Sequence, residues 1–418
     1  MTFNDDCVKK SDEKKFQEFE LIELGKVSKI SMGQSPPSKY YNYEGDGIPF
    51  LQGVKTFGNK YPKYDTWVTR PLKIATKGEV LFSVRAPVGE VNIATTDVCI
   101  GRGLASISGY DNEFIYYLLK SFGQKVIDRQ TGTVFGAVGR EILESTKLPI
   151  PSQTEQKAIA KILSDLDSKI ELNQKMNKTL ESIAHAIFKH WFIYFEFPNE
   201  EGKPYKSSGG EMVDSELGEI PKGWNIRKLG DLGKIVCGKT PSTKDETNFG
   251  QDVPFITIPD MRGNVFTFKT ERYLSTKGAN SQETKFLPPL SVCVSCIATP
   301  GLVTLTSTTS QTNQQINSII CKEGLSPFFV YFVSKEKSQE IIYKGLGGTA
   351  TLNLNTSEFS NLKVILPDLV TLKNFHDFTT QFFKKILNNS KEILVLFDIR
   401  DSLLPRLMTG KIRVPLEE

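Results

Sequence analysis

The chain has 418 residues, 39% hydrophobic and 10% aromatic, with 52 Lys and Arg against 48 Asp and Glu for a formal net charge of +4. That length can bury more than one core and implies two or three domains, while a balance of +4 does not by itself argue for nucleic acid. Residues 1–15 are polar, and no stretch approaches the roughly 18 consecutive apolar residues a membrane span needs, so a cytoplasmic protein with no membrane partner is expected. Six cysteines scattered without a disulfide-like framework fit a reducing compartment.

From Leu24 onward the chain repeats itself. Leu24-Gly25-Lys26-Val27 through Gly33-Gln34-Ser35-Pro36 returns as Leu229-Gly230-Asp231-Leu232 through Gly238-Lys239-Thr240-Pro241 at an offset of 205, which also carries Ile48-Pro49-Phe50-Leu51 onto Val253-Pro254-Phe255-Ile256. Ser83, Pro87-Val88-Gly89 and Ile107 match Ser295, Thr299-Pro300-Gly301 and Ile319 at an offset near 212, so the second copy carries seven extra residues between about 260 and 290. From Gly132-Thr133 to Lys169-Ile170 the offset is 216, pairing Lys147 with Lys363 and Pro151 with Pro367. The chain is two tandem copies of one unit of about 200 residues.

Within each copy, segments such as 79–84 and 290–295 are short, β-branched and bounded by Pro and Gly, which predicts strands, and short helices are expected at 113–128 and 327–343. A mixed α/β (α+β) globular domain follows. After the shared proline, residues 154–190 hold no Pro or Gly, and Ile159, Leu163, Leu166, Ile170, Asn173, Asn177, Leu180, Ala184 and Ile187 recur at alternating spacings of four and three. Phe375, Thr379, Phe382, Ile386, Asn389, Ile393, Leu396, Arg400 and Leu403 repeat the heptad, so each domain is followed by one long coiled-coil helix. Asn173, Asn177 and Asn389 fall on the seam, where a buried amide fixes helix register; the alternative is that they face solvent or a partner. Residues 198–218, rich in Gly, Ser, Lys and Glu, read as a mobile surface linker. The expected boundaries are 1–150 and 217–367 for the domains, 151–197 and 368–418 for the helices with the C-terminal tail, and 198–216 for the linker.

Three strings then carry a resemblance. Leu217-Gly218-Glu219-Ile220-Pro221-Lys222-Gly223-Trp224, Phe188-Lys189-His190-Trp191-Phe192 and the run from Ile399-Arg400-Asp401 through Thr409-Gly410-Lys411-Ile412 resemble motifs of the specificity subunits of type I restriction-modification systems, in the family's order around a tandem repeat. The first copy departs from the pattern, with Phe19-Glu20-Leu21-Ile22-Glu23-Leu24 where a Gly-Ile-Pro-Gly-Trp-like string would stand. The resemblance implies two target-recognition domains that bind double-stranded DNA, one half-site each. It also implies two helices packed antiparallel as a spacer, with pseudo-twofold symmetry, that dock two methyltransferase subunits and, with them, restriction/translocase subunits. No cofactor is then expected in this chain; S-adenosylmethionine, ATP and magnesium would belong to the partners.

Candidate DNA contacts lie in polar loops present in both copies: Gln34, Ser35, Lys39, Tyr40, Tyr41, Arg85, Arg102, Arg129, Gln130, Thr131 and Thr133 in the first. The second offers Lys239, Thr240, Ser242, Gln311, Thr312, Asn313, Gln314, Gln315 and Thr349. Arg can bridge guanine O6 and N7, and Asn or Gln can bridge adenine; each of these residues also fits an ordinary solvated loop. Gly233 to Thr240 satisfies the P-loop expression, but Pro241-Ser242-Thr243-Lys244-Asp245 follows where a helix must open, and the equivalent of Lys239 is Gln34. Cys293-x-x-Cys296 has no second pair for zinc and reads as two small buried side chains. His185, His190 and His376 all lie on the long helices, solvated or facing a partner. Methyltransferase, cofactor-loop and nuclease motifs are missing, so a non-catalytic chain is expected, with a coiled-coil scaffold and a P-loop enzyme as the competing readings.

Overall fold

The computed structural model describes residues 19–128, 137–345 and 353–415. They gather into two compact units, Met1–Ile170 with Val395–Glu418, and Glu171–Leu394. Each unit holds a globular domain together with one end of each long helix.

The first domain is closed by an antiparallel ribbon, Glu20–Glu23 against Lys147–Ile150. Its core sheet runs Ser28–Met32, Leu104–Gly109, Val80–Ser83, Val91–Ile93, antiparallel throughout. Helix Asn112–Asp128 lays Phe114, Ile115 and Leu118 into the same core. A second sheet places Ile48–Leu51 parallel to Val98–Ile100. All four residues of Val80–Ser83 are buried, which is why Val80, Leu81 and Phe82 are apolar in succession rather than alternating with polar residues.

The second domain repeats this frame. Asn225–Lys228 pairs with Lys363–Leu366, and the core sheet runs Gly233–Cys237, Ile316–Cys321, Val292–Ser295, Val303–Thr306. Phe255 and Ile256 pair in parallel with Gln311 and Thr312, as Phe50 and Leu51 do with Cys99 and Ile100. The region of the seven extra residues supplies an added edge strand, Phe266–Thr267, and a short helix, Thr276–Asn280. The repeat extends to single hydrogen bonds: Ser83 Oγ donates to Pro87 O at 2.7 Å and accepts from Glu90 N, while Ser295 Oγ donates to Thr299 O at 2.6 Å and accepts from Leu302 N. A buried hydroxyl satisfied on both sides is costly to replace, which gives the Ser83/Ser295 match its physical reason. The segment 327–343, expected as one helix, is two, Pro327–Glu336 and Ser338–Gly345, interrupted at Lys337.

The long helices are Gln153–Phe192 and Leu369–Met408. Each starts where a proline precludes further extended pairing and the next residue caps. Ser152 Oγ accepts from Glu155 N at 3.4 Å, and Asp368 Oδ1 accepts from Thr371 N at 2.9 Å. Hydrogen bonds to Thr371 and the Trp224 indole hold the Asp368 carboxyl below the usual carboxylate range, although burial pushes the other way. Pro405 is tolerated inside the second helix, and Gly410, at φ 75°, ends it.

Every seam position expected from the heptads is buried or half-buried. In the first unit Asp167 meets Arg400 at 2.8 Å and Glu155 meets Arg413 at 2.6 Å, rising numbers against falling ones, so the helix ends run antiparallel. The second unit shows the same sense: Asn173 Nδ2 donates to Glu392 Oε2 at 2.9 Å, Asn389 Nδ2 to Asn177 Oδ1 at 2.9 Å, and Asn177 Nδ2 to Ser390 Oγ at 3.1 Å.

Residues 198–218 are not the open linker their composition suggests. Tyr205 stacks on Phe197 at 4.5 Å, Phe197 stacks on Trp224 at 4.9 Å, and Tyr205 N donates to Phe197 O. Tyr205, the one aromatic of the segment, thus folds it back on Phe197 and through it on the start of the second domain. None of the described helices is long and apolar enough to cross a membrane.

Candidate nucleic-acid interface

In the first domain three loops converge. Gln34 N donates to Ile100 O at 2.9 Å, Gly101 N to Leu51 O at 2.8 Å and Val84 N to Gly103 O at 2.9 Å. These bonds bring Gln34, Ser35, Arg85 and Arg102 to one end of the domain, and Ser35 Oγ accepts from Arg102 N at 3.2 Å. Gly33 is required there, because a Cβ would meet Gly101 O at 2.2 Å. Tyr41 donates to Pro36 O at 2.8 Å and packs on Phe50, and its hydroxyl pKa is raised by burial and by Cys99, against the pull of Arg102. Tyr40 carries Lys39 over its ring at 5.1 Å and Arg70 at 5.0 Å. Among the described residues no ion pair is seen at Lys39, Arg85 or Arg102, whose charges suit phosphate or base edges.

The second domain builds the same corner with other side chains. Lys239 N donates to Thr312 O at 2.9 Å and Asn313 N to Ile256 O at 3.2 Å, and a Cβ on Gly238 would meet Asn313 O at 2.1 Å. Thr240 Oγ1 donates to Gln314 Oε1 at 2.7 Å, and Asn313 Nδ2 donates to Gln315 Oε1 at 3.0 Å. Lys239, Ser242 and Gln314 are exposed.

Two expected contacts do not reach the surface. Gln311 and Thr312 are fully buried, and the Gln311 amide bonds Gln282 Nε2 at 2.7 Å and Ala279 O at 2.9 Å. They are interior members of a parallel strand pair, drawn in by Gln282 from the extra segment, and cannot present to a duplex. Arg129, Gln130, Thr131, Thr133 and Thr349 lie outside the described residues. Gln52 and Arg70, which the sequence reading passes over, stand at the first corner: Gln52 O accepts from Gly103 N at 3.1 Å, and Arg70 donates to the Tyr40 hydroxyl at 3.3 Å. Gln52 follows a matched strand directly, which is the signal that could have found it; Arg70 has none in the repeat.

The competing chemistries lack their geometry among the described residues. Gly233–Cys237 is an antiparallel sheet strand and no helix opens at Lys239-Thr240, so the P-loop expression has no phosphate cradle. Cys293 and Cys296 are buried, and burial pushes the thiols up to about 12 and about 11. His185 and His376, expected to be solvated or to face a partner, bond Glu336 at 2.6 Å and Ser326 at 3.0 Å and stack on Phe332 and Phe328.

Comparison with known proteins bears on this geometry. A sequence family described as the type I restriction modification DNA specificity domain matches residues 14–182 and again 221–396, one match per repeat. The specificity subunit of the type I restriction enzyme HindI of Haemophilus influenzae is 39% identical over 356 residues, covering 72% of this chain and 77% of the relative. The MjaIX specificity subunit of Methanocaldococcus jannaschii is 28% identical over 418 residues, covering 95% and 94%. In fold, the chain resembles the crystal structure of a type I restriction-modification S subunit from M. genitalium, with a TM-score of 0.59 at 15% identity over 93% of this chain and 96% of that one.

Proposed function

Because the chain belongs to the type I restriction-modification DNA specificity family, we propose that its two domains read two different half-sites of one asymmetric, bipartite duplex target. Its role is sequence choice rather than catalysis. The observation that supports two readers is the duplicated corner: one backbone frame, whose Gln34–Ile100, Gly101–Leu51 and Val84–Gly103 bonds recur as Lys239–Thr312, Asn313–Ile256 and Cys296–Gln315, carries Ser35 and Arg102 in one domain and Thr240 and Gln314 in the other. A shared frame positions both corners alike, and different side chains give each its own base preference.

The antiparallel helix ends are the assigned spacer and the docking surface for two methyltransferase subunits, through which restriction/translocase subunits join. S-adenosylmethionine, ATP and magnesium are assigned to those partners. The test is to express the chain with its methyltransferase in a host lacking adenine methylation and to sequence the modified adenines. The expected motif has two defined parts separated by unspecified bases; one continuous motif would overturn the proposal.

A further inference from the structure

The corner of each domain ends in a three-residue turn, 101–103 in the first and 313–315 in the second. In both turns only the middle residue projects. Arg102 is exposed between Gly101 and Gly103, where a Cβ on Gly103 would meet Gln52 O at 2.4 Å and one on Gly101 would meet Gln52 Cα at 2.9 Å. Gln314 is exposed between the half-buried Asn313 and Gln315, whose side chains bond one another at 3.0 Å. The flanks are restrained by two different devices, absence of a side chain and mutual hydrogen bonding.

Each tip is also held by the hydroxyl residue of the opposing loop. Ser35 Oγ accepts from the Arg102 backbone, leaving the whole guanidinium fork free, and that fork meets no carboxylate among the described residues. Thr240 Oγ1 donates to Gln314 Oε1 at 2.7 Å, which fixes the amide orientation while leaving one oxygen lone pair and both amide N–H groups available. The free groups match different bases. A guanidinium fork donates twice, as guanine O6 and N7 require; a carboxamide donates once and accepts once, as adenine N7 and N6 require.

We infer that Arg102 and Gln314 are equivalent specificity-determining residues, Arg102 selecting a guanine in the half-site of the first domain and Gln314 an adenine in that of the second. The inference rests on the reading of one half-site per domain. Its test uses the full chain co-expressed with its methyltransferase and the modified adenines sequenced for the parent, Arg102→Gln, Arg102→Ala and Gln314→Arg.

Arg102→Gln should move one position of one half-site from guanine toward adenine, and Gln314→Arg should make the reverse change in the other half. In each variant the other half-site and the spacing stay fixed. Arg102→Ala should lower discrimination at the same position on the order of tenfold or more. Should co-expression give too little methylation to read, binding of the purified complex to four duplexes differing only at that position supplies the same comparison. Methylation reduced equally on all sequences, with a shallower salt dependence, would make Arg102 a phosphate contact and overturn the assignment. Unchanged motifs in all three variants would overturn it too, while an exchange of the whole second domain that still rewrote one half-site would leave the reading of one half-site per domain standing.

Discussion

In the unit built on Met1–Ile170, helix Asn112–Asp128 meets the long-helix ends through charge. Tyr117 donates to Asp167 at 2.5 Å, and Asp167 pairs with Arg400 at 2.8 Å. Burial, and then the Asp167 hydrogen bond, drive the Tyr117 hydroxyl far above its ordinary range, and burial followed by Arg400 lowers Lys120. In the unit Glu171–Leu394, helix Pro327–Glu336 keeps polar bonds to the long helix, Tyr331 and Lys335 to Glu181 and Glu336 to His185, and adds a cluster of rings. Phe383 stacks on Phe328 at 4.0 Å, and Phe188, Phe192, Phe329 and Phe375 interlock with centroids 5.0 to 6.1 Å apart. At the offset of 216, Asp167 corresponds to Phe383 and Arg400 to Ala184, both buried. The duplication has kept the backbone frame and exchanged an ion pair for a ring and a methyl group, so the chemistry of fastening is separable from the fold it fastens.

That comparison can be broken most sharply by truncation on each side. Asp167→Ala leaves the Tyr117 hydroxyl without its acceptor and the Arg400 guanidinium with only the exposed Asp401, and should cost about 3 kcal/mol. Phe383→Ala opens a cavity and should cost about 3–5 kcal/mol in the other unit. The two losses differ in how they are repaired. Combining Asp167→Leu, Arg400→Met and Tyr117→Phe should return the first unit to within about 1 kcal/mol of the parent, since an apolar set of similar volume replaces a buried pair without leaving a charge. Amide hydrogen exchange across Asn112–Asp128 and Pro327–Glu336 reads each unit separately, and a triple variant as unstable as Asp167→Ala would show that the charges do more than fill space.

A smaller effect is expected at the seam amides. Asn173 and Asn389 are buried, and Asn177 is half-buried beside them. Asn177→Leu alone leaves the Asn389 amide without its acceptor and should cost about 1–3 kcal/mol. The pair Asn177→Leu with Asn389→Leu should regain stability while the sequenced methylation motif admits more than one spacer length, because apolar seams tolerate slipped registers. A stable double variant with an unchanged single spacing would remove these residues from register control.

The features legible in the sequence are those set by local pattern. The shared proline before each long helix and the heptad seam depend on residues within a few turns of one another, and the repeat shows as short strings that return in order. The same comparison of copies exposes the false P-loop, because Gln34 stands where Lys239 does. What was hidden depends on distant partners. Gln311 and Thr312 read as a polar loop because nothing near them announces that Gln282, 29 residues upstream of Gln311, satisfies the amide inside the domain. Segment 198–218 read as a linker because the rings that hold Tyr205, Phe197 and behind it Trp224, lie outside it. The equivalence of Arg102 and Gln314 needed the hydrogen bonds of the corners, since their flanks, Gly-Gly in one and Asn-Gln in the other, share no residue type.

The central claim is that two independent readers sit on one repeated frame, and the most direct measurement is the methylation motif of a domain exchange. Residues 217–366 are replaced by the corresponding domain of a relative that directs methylation at a different target, and modified adenines are sequenced beside the parent. One half-site should change to that of the donor, while the other half-site and the number of bases between them remain those of the parent. A variant that methylates efficiently but alters both half-sites together would contradict the account.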